Sequence, residues 1–327
     1  MGIRAPLFRA AGLLGAVAVM AATSACGGTP STEAPAAERA AQTASPRGAV
    51  GSLTIGGARL RLVYRGDAPA EARRRIESWV QRGAEMVTAY CGGHFPVPDL
   101  RIEIIVRSGG GVGFGQHFVG RRLRLRVGRD VTEDELQSDW VMVHEMLHTA
   151  LPDLSRRHRW MQEGLSTYLE SVTRARAGYL AEEEVYRIWT RRMPHGQPIS
   201  GDRGLDRTST WGRVYWGGAL FWLSVDVELQ RRTGGRVSLD DAIRGVLAAG
   251  GNSRANWSPE RVVSVGDQAT ETNVLADLYA AQALTASEVD LDALWVDLGV
   301  ERGPSGAISF REDAPDAAIR RQITAPR

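Results

Sequence analysis

The 327-residue chain contains no lysine, and all 40 of its basic side chains are arginines. A GC-rich coding bias, visible also in the many alanines and glycines, accounts for this, and no function follows from it. Cysteine is nearly absent, with only Cys26 and Cys91. Two cysteines exclude a disulfide-stapled scaffold, so the fold must rest on its core, with or without a metal. Neither sign of charge is in excess. The formal net charge of +2 gives no pointer to nucleic acid or to an acidic substrate. No internal repeat is visible. The apolar run over residues 10–22 is too short for a membrane-spanning helix, which needs about 20 residues. With 43% hydrophobic residues, the chain is long enough for one sizeable domain that can divide into two lobes.

The N-terminal 26 residues carry the marks of an export signal. Arg4 and Arg9 precede the apolar run, and small residues follow it. The segment Thr23-Ser24-Ala25-Cys26 resembles the lipobox of bacterial lipoproteins, although Thr23 replaces the usual leucine. The resemblance implies cleavage before Cys26, lipidation of its thiol and a membrane tether without a transmembrane helix. Gly27, where an aspartate would favour the inner membrane, tilts the expectation towards an exported domain on the periplasmic side, at the outer membrane. Residues 27–50 are small and polar and read as a flexible spacer.

Beyond the spacer, alternation of Leu53, Ile55, Leu60, Leu62 and Tyr64 around Gly56-Gly57 predicts a hairpin. Ile76, Trp79, Val80, Ala84 and Val87 recur at helical spacing over 69–90. Strands are expected near 100–105 and 123–127, separated by a glycine-rich loop from Gly109 to Gly115. Residues 51–130 therefore read as a small α+β lobe, and 131–303 as a helical lobe with a tail over 304–327. Thr132 and Glu135 form a capping-box pattern for a helix running to about residue 150. Further helices are expected over 160–176, 215–231 and 239–249, with more in 270–299 and a short strand over 307–310.

The chemistry-bearing motif is His144-Glu145-Met146-Leu147-His148. On a helix, residues four apart share a face, so two imidazoles can bind one zinc ion. Glu145 stands beside that face, within reach of a water molecule at the metal, as a general base. A third protein ligand is required. Glu163 lies in the first turns of the next predicted helix, after the break at Pro152. Glu170, two turns further on, is the weaker candidate. His158, among Arg156, Arg157 and Arg159, suits a solvated loop rather than a metal. Leu151 and Leu154 stand where a metzincin needs glycine and histidine, which excludes that arrangement.

The stretch Trp160-Met161-Gln162-Glu163-Gly164 with Tyr168 is similar to the Trp-x-x-Glu-Gly-x-x-x-Tyr pattern of gluzincin metallopeptidases, the aminopeptidase N-like and glycyl-aminopeptidase-like families. A second block, Tyr215-Trp216-Gly217-Gly218-Ala219-Leu220, resembles their Tyr-x-Lys-Gly-Ala-Leu motif, with Gly217 in place of the lysine. The resemblance covers roughly residues 130–250. It implies a thermolysin-like α+β catalytic domain with a single zinc ion in the cleft between its lobes. It also implies Glu163 as the third ligand, Tyr215 as the hydroxyl that stabilises an oxyanion, and a peptide or protein substrate. The region Gly111 to His117 corresponds to the substrate-binding edge strand of aminopeptidase N but lacks its glutamate. The competing readings are a non-catalytic envelope lipoprotein on the same scaffold and a zinc hydrolase of a non-peptide substrate.

Overall fold

The computed structural model describes residues 50–118 and 122–326, which lie in one compact unit, 48–327. The export signal, the lipobox with Cys26 and nearly all of the spacer lie outside the described residues. Among the described residues no helix is long and apolar enough to cross a membrane.

The first lobe is a five-stranded mixed sheet in the order β1-β2-β3-β5-β4. β1 (Val50–Ile55) and β2 (Ala58–Arg65) form the expected antiparallel hairpin, closed by Gly56 and Gly57 at φ 55° and 79°. α1 (Ala70–Tyr90) then crosses over to β3 (Asp99–Arg107), which pairs parallel to β2. β5 (Arg122–Gly128) is parallel to β3, and β4 (Val112–Phe118) lies antiparallel to β5 at the sheet edge. The expected glycine-rich loop is thus largely a strand. Period-two side-chain alternation buries Leu60, Leu62, Ile102, Ile104, Leu123 and Leu125 on the inner face of the sheet and turns the intervening residues to the other face. α1 meets the sheet through Ile76, Trp79, Val80, Ala84 and Val87. Each such aliphatic side chain contributes about 1.5–3 kcal/mol by leaving water, so truncating Leu62 to alanine would cost about 2–5 kcal/mol.

The helix expected over 132–150 is in fact two. α2 (Glu133–Ser138) has the capping box between Thr132 and Glu135 and stops at Asp139. Asp139 is extended (ψ 141°), and its carboxylate accepts the N–H of Met142 at 3.1 Å. A side chain that offers the backbone a local partner breaks one helix and starts the next. α3 (Val141–Leu147) follows, ending in a tight 3₁₀ turn over 148–150. The loop after it is strapped to residues 253–257: the Asp153 N–H donates to the Ala255 carbonyl (2.8 Å), and the Trp257 N–H to the Asp153 carbonyl (3.2 Å).

The second lobe is helical: α4 (Arg159–Arg176), α5 (Glu182–Arg192), α6 (Gly218–Thr233), α7 (Leu239–Ala248), α8 (Pro259–Thr270), α9 (Val274–Leu278), α10 (Leu291–Leu298) and α11 (Ala317–Thr324). β6 (Val300–Arg302) and β7 (Ile308–Phe310) form a small antiparallel ribbon. α4 and α6 lie backbone to backbone. A Cβ on Gly164 would stand 2.3 Å from the Gly218 carbonyl carbon, and one on Gly218 would stand 2.3 Å from the Trp160 oxygen. Only glycine permits that approach. A buried carboxylate ties the bundle together further along. Asp226 accepts from the Tyr168 hydroxyl (2.8 Å), Gln230 (2.9 Å) and the Leu239 N–H (3.1 Å).

Candidate metal centre

α3 is sunk between the sheet and the helices, with Met142, Met146 and Leu147 fully buried beneath it. That packing fixes the other side of the helix, where His144 and Glu145 sit, with His148 opening the following turn. All three side chains are nearly enclosed. α4 runs alongside and supplies Glu163 from its second turn. Its start is held by Asp206, a buried carboxylate. Asp206 accepts from Trp160 Nε1 (2.8 Å) and the Tyr279 hydroxyl (2.7 Å) and lies 3.4 Å from His158 Nε2. His158 is therefore neither solvated nor near the cluster. Glu170 is also away from it, buried on Arg174 (3.3 Å) and Ser171 (2.6 Å).

Glu163 Oε2 lies 3.4 Å from His144 Nε2 and 3.4 Å from His148 Nε2. One ligand atom from each of the three residues falls within 4.8 Å of the others. A charge-assisted hydrogen bond would settle at about 2.7–2.9 Å. The observed spacing instead approaches the edge of a tetrahedron with bonds of about 2.0–2.1 Å, which is roughly 3.3–3.4 Å. Two imidazole nitrogens and one carboxylate oxygen are a donor set that suits zinc with a position left open. The residues thus fit a metal ion.

The electrostatics separate two neighbouring carboxylates. Burial alone would raise Glu163, but the facing imidazoles of His144 and His148 outweigh it and hold that carboxyl well below its usual range. Burial pushes Glu145 up to about 7; His148 and the backbone N–H of His117 oppose the shift, and the Glu163 charge adds to it. That N–H belongs to β4, so the strand edge approaches Glu145 directly. The approach needs Gly115, whose Cβ would stand 2.6 Å from Glu145 Cγ.

Tyr215 enters from the far side. It lies in a π-helical turn over 213–217, just before α6, rather than in the regular helix expected from 215. Its ring stacks on His144 (centroids 6.2 Å apart). Burial and then the Glu163 charge raise the phenol, so it stays protonated and able to donate. Close helix contact at Gly164 and Gly218 brings Tyr215 to Glu163. Trp211 stacks on Tyr215 (5.6 Å), and with Trp140, Ile188 and Trp216 it walls a cavity of about 260 Å³ beside His144.

Two participants escaped the sequence reading of the site. His117 stacks on His148 (5.6 Å), and its buried Nε2 has no hydrogen-bond partner among the described residues. Burial and the neighbouring His148 push it down to about 3, which keeps it neutral. Strand parity was the available signal, since residues 115 and 117 share the inward face. Asp206 carried no comparable signal, because its partners come from distant segments.

No family model and no curated protein matches the chain. Solved structures do match. An aminopeptidase N family protein from Idiomarina loihiensis aligns over 77% of this chain and 49% of its own, at 17% identity and TM-score 0.60. Native yeast LTA4 hydrolase aligns over 76% of this chain and 43% of its own, at 14% identity and TM-score 0.51. A mutant M1 zinc metallopeptidase from Deinococcus radiodurans, bound to a Tyr-Ser-Ala substrate, aligns over 73% of this chain and 52% of its own, at 14% identity and TM-score 0.49. The chain spans about half the length of these proteins or less, and at such identities the likeness is one of fold. The shared fold is α+β, a small β lobe followed by a helical lobe.

Proposed function

We propose that the protein is a zinc-dependent peptidase, exported and tethered to the membrane by a lipid on Cys26. The observation that carries this reading is the convergence of His144, His148 and Glu163 on one point, each 3.4 Å contact centred on Glu163 Oε2. Zinc held there would supply Lewis-acid polarisation of a carbonyl and lower the pKa of water towards about 7. Glu145 takes the proton from the attacking water and delivers it to the departing amine. Tyr215 donates its hydroxyl proton to the oxygen on which negative charge develops. The open edge of β4 gives an extended peptide a strand to pair with, and the cavity beside His144, walled by Trp140, Trp211 and Trp216 and by Arg191 and Arg192, accepts a bulky side chain. β4 offers Gln116 and no carboxylate in the Gly111–His117 region, so strict recognition of a free amino terminus is not built into that strand.

A quenched-fluorescence peptide library separates the readings. A peptidase cleaves a subset of the library, stops on addition of chelator and recovers with zinc. A non-catalytic scaffold cleaves nothing at any zinc concentration. Replacement of Cys26 by serine should release the protein from the membrane fraction on washing with high salt; a variant that stays membrane-bound through that wash would count against the lipid tether.

A further inference from the structure

The sheet has two faces of opposite character. On the face turned from the core stand Arg59 and Arg61 of β2, Arg101 of β3, and Arg122, Arg124 and Arg126 of β5. Register aligns them. Arg61 is paired with Arg101, and Arg101 with Arg122, which sets three guanidinium groups in one row across adjacent strands. Like charges directly opposite destabilise a sheet. Glu103 relieves this only in part. It is 4% exposed and lies 3.1 Å from Arg101, 3.2 Å from Arg124 and 3.9 Å from Arg122, one carboxylate among three cations. Arg59, Arg61 and Arg126 are exposed and form no salt bridge among the described residues. Six arginines against one buried carboxylate thus make this face locally basic in a chain of net charge +2.

We propose that this face docks on an anionic lipid membrane. Guanidinium groups bind phosphate in a bidentate fashion, and a basic surface next to an anionic leaflet gains affinity with each arginine. The edge strand adds apolar character. Phe118 lies under Arg122 and Arg124 at 4.0 and 5.1 Å, and Phe114 is 69% exposed. The catalytic cleft does not compete for this surface, because α3 packs on the opposite face of the sheet. The choice of a membrane over another polyanion rests in part on the lipid-tether reading. Residues 27–49 join Cys26 to β1.

The test uses the full chain carrying Cys26→Ser, so that no lipid contributes. Sedimentation with phosphatidylcholine vesicles, with and without phosphatidylglycerol, measures the gain due to anionic lipid. A substantial gain that falls as salt rises is expected. Arg59→Gln, Arg61→Gln and Arg126→Gln together should reduce it on the order of 100-fold. The control triple Arg156→Gln, Arg203→Gln and Arg236→Gln changes the net charge equally on the helical lobe and should leave the gain intact. Equal loss in both triples, or no gain with anionic lipid, would overturn the proposal. So would binding to soluble polyphosphate without binding to vesicles. Peptidase activity is a separate readout, so failure here and failure of the zinc-site reading are distinguishable.

Discussion

Glu145 and Glu163 have the same functional group, yet their surroundings divide the work between them. Glu163 faces two imidazoles and stays charged, as the proposed role of metal ligand requires. Glu145 sits under β4, where burial pushes it up to about 7, in the range of a group that both takes and returns a proton. Glu145→Gln is expected to keep the metal and lose hydrolysis; a glutamine variant with undiminished turnover would refute the base assignment. Tyr215→Phe removes one hydroxyl donor and should lower kcat by about 10²–10³-fold with metal content unchanged. A phenylalanine variant as fast as the parent would leave Tyr215 a packing residue. At this scale the histidine pair and Glu145 were legible, because helical spacing alone places them. Glu163 was legible through its motif. Tyr168, in the same motif, turns out to hold Asp226 deep in the bundle and takes no part in the site. His117 was not read as a participant, because its place depends on the tertiary packing of β4 against α3.

Elements bring these residues together through backbone contact. Gly164→Ala would force a methyl group into the α6 backbone, where overpacking costs about 1–3 kcal/mol. A lower Tm and weakened metal retention are expected together, since the same crossing positions Glu163 and Tyr215; a variant unchanged in both would show that the helices are not locked there. The break at Asp139 has its own signature. Burial pushes this carboxyl up to about 6, against the N–H donors of Met142 and Val141 and the charge of Arg174. The folded chain therefore holds the proton more tightly than the unfolded chain. The stability this adds is present at acid pH, is lost as pH rises through about 6, and is gone above it. Asp139→Asn keeps an acceptor for Met142 without the buried charge. Its Tm should fall less than that of the parent between about pH 4 and pH 7, and parallel curves would exclude Asp139 as the source. Periodicity announced α1, α4, α6 and α7 because each has a long apolar stripe or a cap. It missed α5, which buries only Val185, Tyr186 and Trp189, and it ran α2 into α3 because Asp139 is an ordinary polar residue until its carboxylate turns back on Met142.

At the scale of the whole molecule, the sheet and the helices meet around the cluster of His144, His148 and Glu163, and helical segments supply all three. The sheet supplies an edge strand on its inner side and a band of arginines on its outer side. That band was visible in the sequence only as alternation; strand register was needed to show that the charges stand opposite one another. An ion that binds the folded chain and not the unfolded one raises stability by mass action, so metal and fold are expected to be lost together on chelation. The most direct test is elemental analysis of the purified protein beside its Glu163→Ala variant. One zinc per parent chain, and little or none in the variant, is the predicted result. A parent without zinc, or a variant that retains it in full, would contradict the assignment of His144, His148 and Glu163 as its ligands.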